Sequence, residues 1–210
     1  LCSKKEYKIA GTYLSNESLK NVERIRSKIR LIKIELTNAK KVLHLVEKTK
    51  PDLVFNLAGL PSTADSFKKP KDTIINNISL EINLLSAIRE NNFLNTKIMV
   101  VSSADIYGMV KKKDLPIDEE TPLMPTSPYS VSKIAQDFLA LQYFLSYNLK
   151  IIRVRPFNHI GPRQSPDFVV SAIAKKIAEI ERGGRKPILT VGNLESKRDF
   201  TDVRDMVRAY

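Results

Sequence analysis

In the stretch SPYSVSKIAQDF, Ser127 to Phe138, a tyrosine and a lysine stand four residues apart, directly after a proline. Residues i and i+4 of a helix share a face, so Tyr129 and Lys133 present a phenol and an ammonium one turn apart. A phenol is a poor acid at neutral pH, its reference pKa being about 10. A neighbouring ammonium favours phenolate and brings that pKa toward working pH, as proton transfer by a positioned group requires. Upstream, the apolar run KIMVV is followed by Ser102, Ser103, Ala104, Asp105, Ile106, Tyr107 and Gly108. Ser103 at such a strand end can hydrogen-bond the substrate oxygen that gains or loses the proton. Taken alone, the same residues also describe a strand-end serine satisfying backbone groups beside a surface Tyr and Lys.

The elements that must position these groups alternate along the chain. YKIAGTYL (7–14) and IRLIKIEL (29–36) read as strands, and a helical stretch follows near 39–48. Pro51 and Asp52 turn the chain into a short apolar strand, 53–57. Residues 72–90 carry Ile74, Ile75, Ile78, Ile82, Leu85 and Ile88 at helical spacing. KIMVVSS is a buried strand, 128–147 a long helix with Pro128 in its first turn, and LKIIRVRP a further strand. DFVVSAIAKKIAEIERGG is a helix ended by Gly183 and Gly184, PILTVG is expected as a last strand, and DVRDMVRAY as a helix. Apolar strands separated by helices predict an α/β fold with a parallel, doubly wound sheet. Ligands bind at the carboxyl edge of such sheets, so NLAG, SSADIYG and RPFNHIGP are expected to form the site.

Composition excludes several classes. The 42% hydrophobic and 28% charged content fits a folded globular chain, not a disordered one. No apolar run approaches bilayer-spanning length, and no signal-peptide pattern opens the chain. The single cysteine, Cys2, excludes a disulfide framework and fits a reducing cytosol. With only His44 and His159, far apart, no thiolate or imidazole metal site can be assembled. The net charge of +12 raises nucleic acid as a partner. The bases, however, are spread among acids, and the tightest run, Lys111 to Lys113, has no interleaved aromatics. It reads as solvated surface, and neither nucleic acid nor membrane is an expected partner.

SSADIYG, SPYSVSK and RPFNHIGP, in that order, resemble the motif set of the extended short-chain dehydrogenase/reductase family, the nucleotide-sugar epimerases and dehydratases. The likeness covers almost the whole chain. It implies a Rossmann-like NAD(P)-binding fold in which Ser103, Tyr129 and Lys133 form the catalytic triad, Tyr129 and Lys133 also meeting the cofactor. NLAG resembles the family's turn beneath the cofactor, which implies cofactor contacts for Leu57, Ala58 and Gly59. Asn77, in NNISLEINLL, matches the family's helix asparagine on the same side. Ser62, Asn158, Lys175 and Arg198 match substrate-side positions; on their own the last three read as a loop amide, a solvated lysine and a surface ion pair. VGNLESKRDFTDVRD is similar to the GDP-mannose branch, and RPFNHIGPRQSPDFVVS looks more like its 4-keto-6-deoxy sugar reductases than its dehydratases. Residues 1–160 are expected to be a partial cofactor domain, and 161–210 a partial substrate-binding region.

Departures from the family pattern qualify this reading. Asn56 replaces the usual His, Gly59 the second Ala, and Glu35-Leu36 an Asp-Leu pair. Asp105 stands where the dehydratases carry a catalytic Glu. No glycine-rich phosphate loop precedes YKIAGTYL, so the first strand, its turn and most of the first helix read as absent from a piece of a longer protein. The chain begins at Leu1 and stops at Tyr210 within a helical stretch, in keeping with that reading. Alone, these 210 residues are expected to be inactive, with YKIAGTYL and the strand ending at Ser102 lacking a shared neighbour. YKIAGTYLS also ends without an acid for the ribose 2′-hydroxyl, leaving Ser15 and Arg24 as phosphate candidates and the cofactor as NADP or NAD. The resemblance implies a cytoplasmic enzyme, homodimeric through the helices 72–90 and 128–147, that reduces a nucleotide-linked 4-keto-6-deoxy sugar. The rivals are a 4,6-dehydratase or epimerase, with Asp105 as base in the dehydratase, and a non-catalytic nucleotide-binding or scaffold module.

Overall fold

The computed structural model describes residues 6–195 and 197–210; Cys2 and Ser196 lie outside them. Packing divides the chain into two units, Leu1–Arg155 and Pro156–Tyr210.

In the first unit, β1 (Ala10–Tyr13) leads through a 3-10 helix (Asn16–Lys28) to β2 (Arg30–Lys33), α1 (Ala39–Thr49) and β3 (Leu53–Asn56). Then come α2 (Thr63–Lys68), α3 (Pro70–Glu90), β4 (Lys97–Val101), a 3-10 turn (Ala104–Tyr107), α4 (Pro128–Tyr147) and β5 (Lys150–Val154). Helix starts follow local chemistry. Asn38 accepts from the Lys41 N–H and Ser62 from the Asp65 N–H, each at 3.1 Å. Ser127 and Ser130 close a reciprocal capping box ahead of α4. Pro70 and Pro128 occupy first turns, where a missing N–H costs nothing. α2 and the long 3-10 segment have no counterpart in the sequence reading. The latter buries only Leu19.

The strand pairings are parallel throughout. β1 pairs with β2, and β3, β4 and β5 form a second sheet in that order. This is the mixed α/β, Rossmann-like class. Ile98, Met99 and Val100 of β4 are buried in succession; since neighbours in a strand face opposite ways, both faces of β4 are covered. The core joins Ile98 and Val100 to Val42 and Val46 of α1, Leu85 and Ile88 of α3, and Ala140 of α4. β4 is paired on both sides, with β3 and with β5. The expectation that YKIAGTYL and the strand ending at Ser102 are left without a shared neighbour is corrected for the latter, which has no open edge: β3, not β4, stands at the sheet's edge, because the chain reaches β4 through α3 and lays it between β3 and β5.

The second unit contains β6 (Asn158–Ile160), α5 (Val169–Glu181), β7 (Phe200–Asp202) and α6 (Val203–Ala209), with β6 and β7 parallel. PILTVG does not form the expected strand. After Pro187 the Ile188 N–H folds back onto the Lys186 carbonyl at 2.7 Å, the donation of a γ-turn. Ile188, Leu189 and Val191 stay exposed, so no apolar face rewards pairing there.

Candidate active site

The site grows from the end of β4. Ser103 Oγ accepts from the Asp105 N–H at 3.1 Å and so starts the 3-10 turn Ala104–Tyr107. The turn closes at Gly108, whose φ of 59° is a conformation side-chain-bearing residues rarely adopt. Tyr129 stands in the first turn of α4, its phenol close enough to the Ser103 hydroxyl for that hydroxyl to favour phenolate. Ser102 Oγ donates to the Lys133 carbonyl at 3.1 Å, fastening α4 to the strand end. Lys133 Nζ donates to the Val101 carbonyl at 2.8 Å and to Gln136 Oε1 at 2.9 Å, and lies 6.0 Å from the Tyr129 ring centre.

The electrostatics differ from the sequence reading. The phenol of Tyr129 is raised, not lowered: burial dominates, the Ser103 hydrogen bond opposes it, and the negative charge of Asp105 adds to it. Lys133 is pulled down to about 8 by burial, partly offset by the carboxylate of Glu81. Asp105 is itself placed by Thr63 of α2, whose hydroxyl donates to Oδ2 at 3.1 Å.

Asn77 is wholly buried in α3 and braces the turn after β3. Its Oδ1 accepts from the Leu60 N–H at 2.7 Å, and its Nδ2 donates to the Leu60 carbonyl at 3.2 Å and to Ser132 Oγ at 2.9 Å. A Cβ on Gly59 would stand 3.1 Å from Asn77 Oδ1, so the turn approaches the asparagine closely. Leu57 and Gly59 are exposed and Ala58 half-buried, leaving this turn open to a ligand. Ser62 caps α2. The structure thus brings together Ser103, Asp105, Tyr129 and Lys133, with Asn77 joined to them through Ser132, whose Oγ donates to the Tyr129 carbonyl at 2.7 Å.

The other residues singled out lie in the second unit. Asn158 is exposed at the start of β6. Lys175 pairs with Glu179 across one turn of α5 at 3.9 Å. Arg198 is exposed, its NH1 donating to the Lys197 carbonyl at 2.8 Å. Among the described residues, no cluster of three or more His, Cys, Asp or Glu could hold a metal ion, and no helix is long and apolar enough to cross a membrane.

Two buried polar groups escaped the sequence reading. Asp137 of α4 is buried and gripped by Arg153 NH1 at 2.6 Å and by Arg155 Nε at 2.9 Å, while Arg155 NH1 also donates to the Tyr107 hydroxyl at 3.0 Å. Glu81 of α3 is buried with Asn56 donating to it. Their signal was positional: Asn77, Glu81, Leu85 and Ile88 form one helical stripe, all buried, whereas Ile75 and Ile82 of the expected apolar set are exposed.

The parallel sheets, and Ser, Tyr and Lys gathered at the end of β4, are those of the extended short-chain dehydrogenases/reductases that act on nucleotide sugars. The family model described as GDP-mannose 4,6 dehydratase matches residues 1–210, and the chain belongs to that family. It is 39% identical over 160 residues to a GDP-6-deoxy-D-mannose reductase of Pseudomonas aeruginosa, covering 76% of this chain and 52% of that protein. It is 33% identical over 175 residues to a GDP-mannose 4,6-dehydratase of Yersinia enterocolitica, covering 83% of this chain and 46% of that one. The chain thus spans about half the length of these relatives. Among solved structures it resembles RMD from Pseudomonas aeruginosa complexed with NADPH, with a TM-score of 0.81 and 31% identity over 97% of this chain and 70% of that one. A dTDP-glucose 4,6-dehydratase from Bacillus anthracis in complex with NAD gives a TM-score of 0.81 at 28% identity, over 99% of this chain and 63% of that one.

Proposed function

We propose that the protein containing this chain is a cytoplasmic NAD(P)H-dependent reductase of a nucleotide-linked 4-keto-6-deoxy sugar, turning GDP-4-keto-6-deoxymannose into a GDP-rhamnose-type product. The observation that carries the reading is the gathering of Ser103, Tyr129 and Lys133 where β4 ends and α4 begins, with Ser102 Oγ donating to the Lys133 carbonyl and Lys133 Nζ to the Val101 carbonyl. A reduction needs a proton at the substrate oxygen, and a phenol that is protonated at neutral pH can give it, with the buried Lys133 ammonium nearby to stabilise the phenolate that remains.

The residues present fit a nicotinamide cofactor: the turn at Leu57, Ala58 and Gly59 lies open beside Asn77, and Tyr129 and Lys133 stand at the same strand ends. When bound, such a cofactor supplies the hydride that adds to the keto carbon. Ser103 holds the keto oxygen, and Tyr129 gives it the proton. Lys133, tied to Val101 and Gln136, keeps a positive charge near the phenolate that results. Asn158, Lys175 and Arg198 are proposed to meet the sugar hydroxyls and the diphosphate, with Ser62 beside the sugar. RMD holds NADPH and the dTDP-glucose 4,6-dehydratase holds NAD, so NADP and NAD both stay within the proposal.

One observation favours a second reading. Asp105 is close enough to Tyr129 to act on its charge, and an acid there could serve a 4,6-dehydratase as base. The deciding experiment uses the full-length protein with GDP-4-keto-6-deoxymannose and with GDP-mannose. A reductase consumes NADPH or NADH stoichiometrically with the first. A dehydratase converts the second with no net change in cofactor absorbance, and that result would overturn the reductase reading.

A homodimer is also proposed. Val131, Phe138 and Leu145 of α4 recur every seven residues and are all exposed, as are Ile75 and Ile82 of α3. α3 and α4 pack against each other, so two such apolar stripes lie on one helix pair, the pattern of helices awaiting partners.

A further inference from the structure

Glu81 sits mid-helix in α3 with no exposure at all, among Leu80, Leu85 and Ile88. Asn56, at the end of β3, donates to its Oε2, while Oε1 has no partner. A carboxylate so placed costs several kcal/mol unless an opposite charge answers it. The elements packed around it offer few candidates. Asp137 of α4 is already held by Arg153 and Arg155, and Asp105 in the 3-10 turn accepts from Thr63. The Tyr129 phenol lies beside Ser103. On α1 the charged side chains, Lys40, Lys41, His44, Glu47 and Lys48, face solvent or the helix edge. The charge that acts on Glu81 is Lys133, and Glu81 acts in turn on Lys133. Gln136 completes the frame: its Oε1 accepts from Lys133 Nζ and its Nε2 donates to the Asn77 carbonyl at 2.9 Å, one turn before Glu81.

We propose that Glu81 is a positioning residue for proton transfer at this site: its carboxylate, aimed by Asn56, is the buried counter-charge that keeps Lys133 an ammonium behind Tyr129. This deepens the reductase reading and rests on its assignment of Tyr129 and Lys133. Lys133 is 8% exposed, and that burial works against its charged form. Its two hydrogen-bond acceptors, Val101 O and Gln136 Oε1, are neutral. Glu81 supplies the missing charge from one turn beyond Asn77, on the same buried stripe of α3.

The test is the titration of Lys133 in full-length protein carrying 13Cε-labelled lysine, its NMR signal assigned by loss in Lys133→Arg. In Glu81→Gln, which keeps the side chain's size, the Lys133 midpoint is expected to fall by roughly one pH unit or more, the usual effect of removing a close opposite charge. The alkaline limb of kcat should move with it, and Glu81→Asp should restore part of the difference. Asn56→Ala leaves the carboxylate but unties it, and is expected to lower the midpoint by less; it serves as the second variant should Glu81→Gln fail to fold. A Lys133 midpoint that stays put in whichever of these variants folds overturns the assignment. The titration needs no sugar substrate, so a failed turnover assay bears on the proposed reaction alone.

Discussion

Lys133 reaches back from α4 to the Val101 carbonyl at 2.8 Å, the last residue of β4. That bond fixes where the ammonium lies relative to Ser103, two residues beyond, and places the lysine 6.0 Å from the Tyr129 ring centre. The phenol is set by its own burial, by Ser103 and by the charge of Asp105, and the lysine's charge is available to stabilise phenolate once the proton has gone.

Tyr129→Phe removes that proton and nothing else of size. In the full-length enzyme kcat is expected to fall roughly 10²–10⁴-fold, the usual value of positioned acid–base catalysis, with cofactor affinity nearly unchanged. Steady-state kinetics beside calorimetric titration with NADPH check both halves. Turnover near that of the wild type would make the Ser103–Tyr129 pair decorative.

Arg198 is exposed, its NH1 donating to the neighbouring Lys197 carbonyl. If it meets the diphosphate, Arg198→Ala raises KM for the sugar nucleotide several-fold to tens-fold while KM for the cofactor holds. Equal KM values in variant and wild type would return it to plain surface.

The exposed heptad stripe of Val131, Phe138 and Leu145 predicts a two-fold assembly. Phe138→Asp is expected to yield monomers in sedimentation velocity at micromolar concentration, with the fold intact by circular dichroism. A wild-type protein already monomeric there would dispose of the dimer.

Much of the scaffold could be read from apolar periodicity, and the reasons it failed in places are instructive. α4 matched its expected bounds, 128–147, because Pro128 and the Ser127–Ser130 box mark its start. Ser103, Tyr129 and Lys133 were legible because strand end and helix start are local signals. α3 was found, but its buried face was misjudged. Isoleucines at 75 and 82 look like core, yet the site wall needed polar side chains, so Asn77 and Glu81 took the interior and the isoleucines were left outside. PILTVG had strand-forming residues and nothing to pair with. No periodicity reports a buried carboxylate whose partner lies more than fifty residues away on another helix.

Glu81 and Lys133 also predict how stability varies with pH. Burial raises the Glu81 carboxyl from its ordinary 4.5 to about 7, against the Asn56 hydrogen bond and the Lys133 charge. Between those values the folded state holds a proton that the unfolded state has lost, so stability falls as pH rises from 4.5 to 7. Lys133 works in the opposite sense: lowered from 10.5 to about 8, it makes stability rise with pH between 8 and 10.5. Each limb is on the order of 3 kcal/mol. A trough near pH 7–8 is expected in urea unfolding, and Glu81→Gln should erase its acid side and be the more stable protein at pH 7.5. A wild-type profile without the fall between pH 4.5 and 7 would contradict the buried carboxyl.

Gly108 is where the turn bearing Asp105 is most sensitive to a single methyl group. Its φ of 59° with ψ of −126° is backbone that only glycine takes readily, at a cost of about 1–3 kcal/mol for any other residue. Space adds to this: a Cβ there would lie 1.8 Å from the Met124 carbonyl oxygen, a backbone atom that cannot swing aside as a side chain would. Met124 is in turn fixed, since its N–H donates to the Ile106 carbonyl at 3.0 Å, so the clash is passed to the same turn from both ends. That turn carries Asp105, and through Tyr107 it receives the hydrogen bond of Arg155. Gly108→Ala is therefore expected to lower the thermal midpoint by roughly 5–10 °C, at a few degrees per kcal/mol for a chain of this size, and to cut kcat at least tenfold by displacing Ser103 and Asp105. Gly192→Ala, with nothing within 4 Å of its added Cβ, is the control and should leave the midpoint unchanged. Equal melting temperatures for the two variants would show that the turn is free to move, and that the place of Asp105 beside Tyr129 is not built into the fold.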